Sequence, residues 1–135
     1  MRLELPGLFD LQVNGFAGVD FNNPATSGNE VLRAIGKIQA TGVTRFLPTL
    51  ITSSGDRFTM CARNLLTTHH PAIAGLHMEG PYIAAADGPR GAHPREHVIA
   101  ASIEDFKRRQ EAAQGTIRLV TLAPEVPGAL RLIEY

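Results

Sequence analysis

The sequence predicts an α/β protein built on a parallel sheet. Three observations carry that expectation: apolar runs of strand length at 7–13, 43–50, 72–79 and 116–122, helical patterns opened by serine caps between them, and glycine or proline at the breaks. Strands that alternate with helices pair in parallel through right-handed crossovers.

Residues 7–13 form the first strand, closed by Asn14-Gly15. Ser27 begins a capping box, in which its side chain accepts from the Glu30 N–H while Glu30 reaches back, and Val31, Ile35 and Ile38 follow at helical spacing. Gly42 ends that helix. The strand over 43–50 is expected to finish at Pro48, which has no N–H for a ladder. Ser53 or Ser54 caps a second helix carrying Phe58, Ala62, Leu65 and Leu66, and His69-His70-Pro71 terminates it. A third strand over 72–79 stops at Gly80-Pro81, and a long loop follows. Ser102, three residues before Asp105, opens a third helix to about Ala113, and residues 116–122 are the fourth strand. Pro127 is placed in the first turn of a fourth helix.

At 135 residues the chain is one domain, 1–135, too short for a complete (β/α)8 barrel of ~250 residues. Four βα units are half such a barrel. A flavodoxin-like open sheet competes at this length, but Gly15-Phe16-Ala17-Gly18 lacks the G-x-G-x-x-G spacing of a nucleotide-binding turn, which favours a partial barrel. Lys and Arg total 13 and so do Asp and Glu, so nothing in the charge points to nucleic acid or an anionic membrane. With 44% hydrophobic and 19% charged residues, the chain has the makings of a core. One cysteine, Cys61, excludes an intramolecular disulfide and a thiolate zinc site, and fits a reducing cytoplasm. The start, Met1 to Gly7, has an acidic residue and a Pro-Gly break where a signal peptide is apolar, and no run approaches the ~20 apolar residues of a membrane span.

Residues two apart on a strand share a face, which groups Asp10, Gln12 and Asn14 on the first strand and Gly75, His77 and Glu79 on the third. Both stripes end at C-terminal strand ends, where α/β proteins build their sites. Thr49 with Thr52, and Glu125, add polar groups at the ends of the second and fourth strands. A buried carboxylate needs a partner. For Glu79 that is a divalent metal or, equally, a helix N-terminus or an arginine. His77 is more often a satisfied core residue, or one supporting a ligand, than a ligand itself. Gln12 and Asn14 are weak by type, since Asn-Gly is a common turn and an amide a poor ligand; their interest is positional. In the loop after Glu79, Arg90 and His93 are placed to meet an anionic or polyhydroxyl ligand, or the loop is simply solvated and poorly anchored. His69, His70 and Cys61 read as structural.

Several strings in one order and spacing carry a resemblance: Pro6-Gly7-Leu8-Phe9-Asp10-Leu11-Gln12-Val13-Asn14-Gly15, Gly18-Val19-Asp20-Phe21, Leu47-Pro48-Thr49-Leu50-Ile51-Thr52, Gly75-Leu76-His77-Met78-Glu79-Gly80-Pro81-Tyr82-Ile83, Gly91-Ala92-His93 and Leu122-Ala123-Pro124-Glu125. Together they resemble the N-acetylglucosamine-6-phosphate deacetylase family of the amidohydrolase superfamily. Most of the superfamily carries His-x-His at the end of the first strand, whereas Gln12-x-Asn14 is the pattern of the sugar deacetylases. The resemblance implies a metal-dependent (β/α)8 barrel, of which this chain is the N-terminal half, truncated at both ends. It implies hydrolysis of the acetamide of N-acetylglucosamine 6-phosphate to glucosamine 6-phosphate and acetate. The implied cofactor is a divalent metal ion, zinc foremost and iron or another as alternatives. Glu79 is then a metal ligand, Gln12 a ligand or near-metal contact, Ala92 and His93 substrate contacts, and His77 and Asn14 supporting residues behind them. The family's other metal histidines and its catalytic aspartate come from later strands, so the chain alone is expected to be inactive. The expected partners are a sugar phosphate and, in the complete enzyme, a second subunit. Two other readings are a half-barrel module that self-associates through open sheet edges, and a sugar-phosphate-binding domain without chemistry.

Overall fold

From Leu8 the chain forms β1 (Leu8–Val13), a short hairpin of β2 (Gly15–Phe16) and β3 (Val19–Asp20), α1 (Gly28–Gln39), β4 (Val43–Ile51), α2 (Gly55–Leu66), β5 (Leu76–Glu79), a 3-10 turn (Arg95–His97), α3 (Ile103–Ala112), β6 (Ile117–Thr121) and α4 (Ala129–Glu134). The computed structural model describes residues 6–135; the chain start through residue 5, part of the stretch expected not to be a signal peptide, lies outside them. The four long strands are parallel and lie in the order β1-β4-β5-β6, which is also their order in the chain. An unreversed order sends every right-handed crossover to the same side of the sheet. Phe46, Leu50, Leu76 and Met78 of the sheet share one core with Val31 and Ile35 of α1 and Phe58 and Leu65 of α2.

Local signals place the helices. At the start of α1 the Glu30 N–H donates to Ser27 Oγ at 3.3 Å and the Ser27 N–H donates to the Glu30 carboxylate at 2.8 Å, completing the capping box. Ser54 caps α2 and Ser102 caps α3 in the same way, from the N–H groups of Arg57 and Asp105. Among the described residues no helix is long and apolar enough to cross a membrane.

Four expectations need correction. The β2–β3 hairpin was not foreseen; Ala17 and Gly18 both take positive φ at its tip, a tight turn that two-residue strands do not announce. Strand β4 continues through Pro48 to Ile51, because Pro48 lies opposite a bulge between Asp10 and Val13, where the Val13 N–H donates to Thr49 Oγ1 at 3.1 Å. The third strand begins at Leu76, not residue 72. Ile73 makes only an isolated bridge with Phe46, and Gly75, at φ +140°, packs so closely on Thr116 and Arg118 that a side chain there would collide. Pro127 precedes α4 instead of opening it, its carbonyl accepting from the Ala101 N–H at 2.9 Å.

The loop after β5 is also better anchored than its glycines and prolines imply. Tyr82 is fully buried and donates to Asp105 Oδ2 at 2.8 Å; Arg109, 5% exposed, donates to the same oxygen at 2.8 Å, reaches the Ser53 carbonyl at 3.4 Å and lies over the Phe58 ring. The Ile99 N–H closes the loop on the Pro81 carbonyl at 3.1 Å. Burial works to raise the Asp105 pKa, but the bonds from Arg109 and Tyr82 outweigh it and hold the carboxyl below its usual value, while burial and this acceptor push the Tyr82 phenol up. A depressed carboxyl stabilises the fold fully above its unfolded pKa and loses that contribution as pH falls through the folded one. Urea midpoints measured from about pH 6 down to about pH 3 should therefore fall, and Asp105→Asn should cost about 2 kcal/mol at neutral pH and flatten that slope.

Candidate active site

Gln12, Glu79 and His93 meet at the edge where the parallel strands end. Glu79 closes β5 half-buried, and Gln12 Nε2 donates to its Oε1 at 3.3 Å. The bulge in β1 makes that reach possible and overturns the simple stripe of Asp10, Gln12 and Asn14. Asp10 is in register with Phe46, a residue of the helix-side core, while beyond the bulge Gln12 extends to Glu79, its N–H held by Asp10 Oδ1 at 3.0 Å. Asn14 is exposed, and it is its carbonyl that is engaged, by the Phe21 N–H at 3.0 Å and Asn22 Nδ2 at 3.4 Å.

His93 arrives from the long loop, with Nδ1 3.0 Å from Thr52 Oγ1 and Nε2 3.9 Å from Glu79 Oε1, the latter too long for a hydrogen bond. Ala92 beside it is exposed. Arg90, read in the sequence as a contact for an anionic or polyhydroxyl ligand, instead pairs with Asp87 and donates to the His93 carbonyl at 2.7 Å, bracing the backbone behind His93. Glu125 is exposed beyond β6. A cavity of about 220 Å³ lined by Asn22, Thr52, Arg57, Cys61 and His97 lies beside this cluster and does not include Glu79.

Next to Glu79 on the same face, His77 is 2% exposed and ties three strands together, with Nδ1 3.1 Å from Thr49 Oγ1 and Nε2 2.7 Å from Thr121 Oγ1. Burial pushes its imidazole below the usual value against the opposing pull of the Glu79 charge and the Leu11 carbonyl, so it is neutral at pH 7. Asn22 has a comparable tying role: Nδ2 donates to the Thr49 carbonyl at 3.0 Å and Oδ1 accepts from the Ile51 N–H at 2.8 Å. Neither Thr121 nor Asn22 stands out in the sequence. Asn22-Asn23-Pro24 reads there as turn chemistry, and Thr121 becomes visible only once the register opposite Glu79 is known.

The cluster offers a carboxylate, an amide and an imidazole. Among the described residues no three His, Cys, Asp or Glu side chains stand close enough together to hold a metal ion, and a catalytic zinc ordinarily takes three protein ligands. Glu79 and Gln12 do not by themselves fit a complete zinc centre. Replacing His77 by Leu removes its bonds to both Thr49 and Thr121 and should lower unfolding free energy by about 2 kcal/mol, whereas Thr121→Val, at an exposed position, should cost less than about 1 kcal/mol, both read from urea titration.

No family model matches the chain. Curated relatives do: N-acetylglucosamine-6-phosphate deacetylase of Homo sapiens is 35% identical over 133 residues, covering 93% of this chain and 32% of its own. The same enzyme of Caenorhabditis elegans is 37% identical over 145 residues, covering 96% and 33%. Among solved structures, a mutant of N-acetyl-D-glucosamine-6-phosphate deacetylase from Mycobacterium smegmatis, in complex with N-acetyl-D-glucosamine-6-phosphate, superposes with a TM-score of 0.84 at 30% identity, over 95% of this chain and 33% of that one. The chain thus spans about a third of the length of the relatives it matches. Sequence and fold agree, and the chain is a homologue of the N-acetylglucosamine-6-phosphate deacetylases.

Proposed function

We propose that the chain is part of a (β/α)8 barrel deacetylase that hydrolyses the acetamide of N-acetylglucosamine 6-phosphate to glucosamine 6-phosphate and acetate in amino-sugar breakdown. The observation that carries this reading is the meeting of Gln12, Glu79 and His93, from three separate segments, at the C-terminal edge of the sheet. The unreversed strand order supports the barrel, since a doubly wound sheet reverses its order at the crevice where it binds ligands. In this reading Glu79 would be one ligand of a divalent ion, zinc foremost, which when bound would supply Lewis-acid polarisation of the amide carbonyl; the other ligands and the group that protonates the leaving amine would come from outside the described residues. Gln12 steadies the Glu79 carboxylate, and His93 with Ala92 meets the sugar phosphate. The relative solved with that sugar phosphate supports the choice of substrate.

A second reading, self-association as a half-barrel, is favoured by one observation: Leu8, Phe9 and Leu11 of the edge strand β1 are 58%, 52% and 54% exposed. Sedimentation tests it, and a monomer at about 50 µM removes it.

Acetate release from N-acetylglucosamine 6-phosphate tests the first reading, assayed on the chain alone and on the chain joined to the remaining two thirds of a relative. The chain alone should be inactive and the joined form active, with Glu79→Gln lowering kcat more than about 100-fold while the melting temperature stays unchanged. Turnover by the chain alone, or an undiminished Glu79→Gln form, overturns it.

A further inference from the structure

Arg109 of α3 is a charge set inside the protein, and its guanidinium is met on three sides. Nε donates to Asp105 Oδ2 at 2.8 Å, Nη2 reaches the Ser53 carbonyl at 3.4 Å, and the Phe58 ring lies 5.3 Å from its central carbon. The Tyr82 phenol shares the same carboxylate oxygen, also at 2.8 Å. These partners are distant in the chain: Ser53 follows β4, Phe58 belongs to α2, and Tyr82 stands three residues after Glu79, at the start of the loop that carries Ala92 and His93. The Tyr82 backbone is fixed as well, its carbonyl accepting from the Ala123 N–H beyond β6 at 2.8 Å, and the Pro81 carbonyl receives the Ile99 N–H from the far end of the loop. Closed on itself in this way, the loop takes its position from where Tyr82 stands.

A buried ion pair is a poor source of stability, because the cost of taking two charges out of water offsets most of their attraction, and apolar side chains of the same volume often do as well. What such a pair supplies is direction, since hydrogen bonds fix distances and angles that apolar contacts let slide. Here the directed bonds run from the end of β4, through α3, to the start of the loop just past Glu79. We propose that Arg109 and Asp105 are positioning residues that fix Tyr82 relative to the end of β4 and so set where the loop presents its substrate contacts. Neither bonds to Gln12, Glu79 or His93; they act through Ser53 and Tyr82. The inference rests on the reading above that this loop meets the sugar phosphate, but its first test does not.

Amide hydrogen exchange on the chain is the first test. Tyr82→Phe keeps the ring and removes one bond, so the amides of Ile99 and Ala123 should exchange about tenfold faster, while those of Ala34 and Ile35 in α1 keep their rates. Equal acceleration in α1 and in the loop shows that the network serves global stability alone and overturns the proposal, as does no acceleration anywhere. The second test exchanges the whole network for apolar side chains in the joined enzyme, as Tyr82→Phe, Asp105→Leu and Arg109→Met together. This form should melt close to the wild type, yet KM for the sugar phosphate should rise about tenfold with a smaller change in kcat. An unchanged KM overturns the positioning role. If the triple form does not fold, Tyr82→Phe alone decides: KM should rise in the same sense, and an unchanged KM overturns the role equally. A joined wild type without deacetylase activity removes the proposed function instead, and the exchange rates still decide whether the network fixes the loop.

Discussion

A polar side chain in the interior must find partners for every atom it buries, and His77 imposes that constraint on the whole sheet. Its ring reaches Thr49 on β4 and Thr121 on β6, and Thr49 in turn takes the Val13 N–H of β1. One imidazole therefore links all four parallel strands at the level just below the candidate site. The helices pack on the opposite face with ordinary apolar side chains, which tolerate some sliding. The row through Thr49, His77 and Thr121 does not, because a shift of one residue would turn each of these side chains to the other face. The spacing between Gln12 and Glu79 is inherited from that register.

How much of this could be read from the sequence follows from how local each cause is. The three serine caps acted within four residues and were legible, as was the alternation of strands and helices. The continuation of β4 through Pro48 was not, since it depends on a bulge in a strand 35 residues away. The loop after β5 looked unanchored because its ties, Tyr82 to Asp105 and Ile99 to Pro81, join residues that no local pattern pairs.

The site was legible in part. Period two on β5 placed His77 and Glu79 correctly on one face, while the same rule failed on β1, where the bulge separated Asp10 from Gln12. That Gln12 and His93 would stand together at Glu79 came from the resemblance, because nothing in the spacing of three distant segments fixes their meeting. Arg90 illustrates the opposite error. A basic residue in a long loop reads as a ligand contact, yet its two terminal guanidinium nitrogens are engaged by the His93 carbonyl and by Asp87.

Asn22 carries a consequence for how such a sheet edge can vary. Beyond the last main-chain pairing of β1 with β4, the Asn22 amide holds the Asn14, Thr49 and Ile51 backbones, and its own carbonyl is clasped by Arg57 of α2. A side chain here substitutes for a strand. The spacing of the first two strand ends thus depends in part on the reach of one amide arm, so that a single added methylene at position 22 would disturb the ties to both strands without touching Gln12 or Glu79.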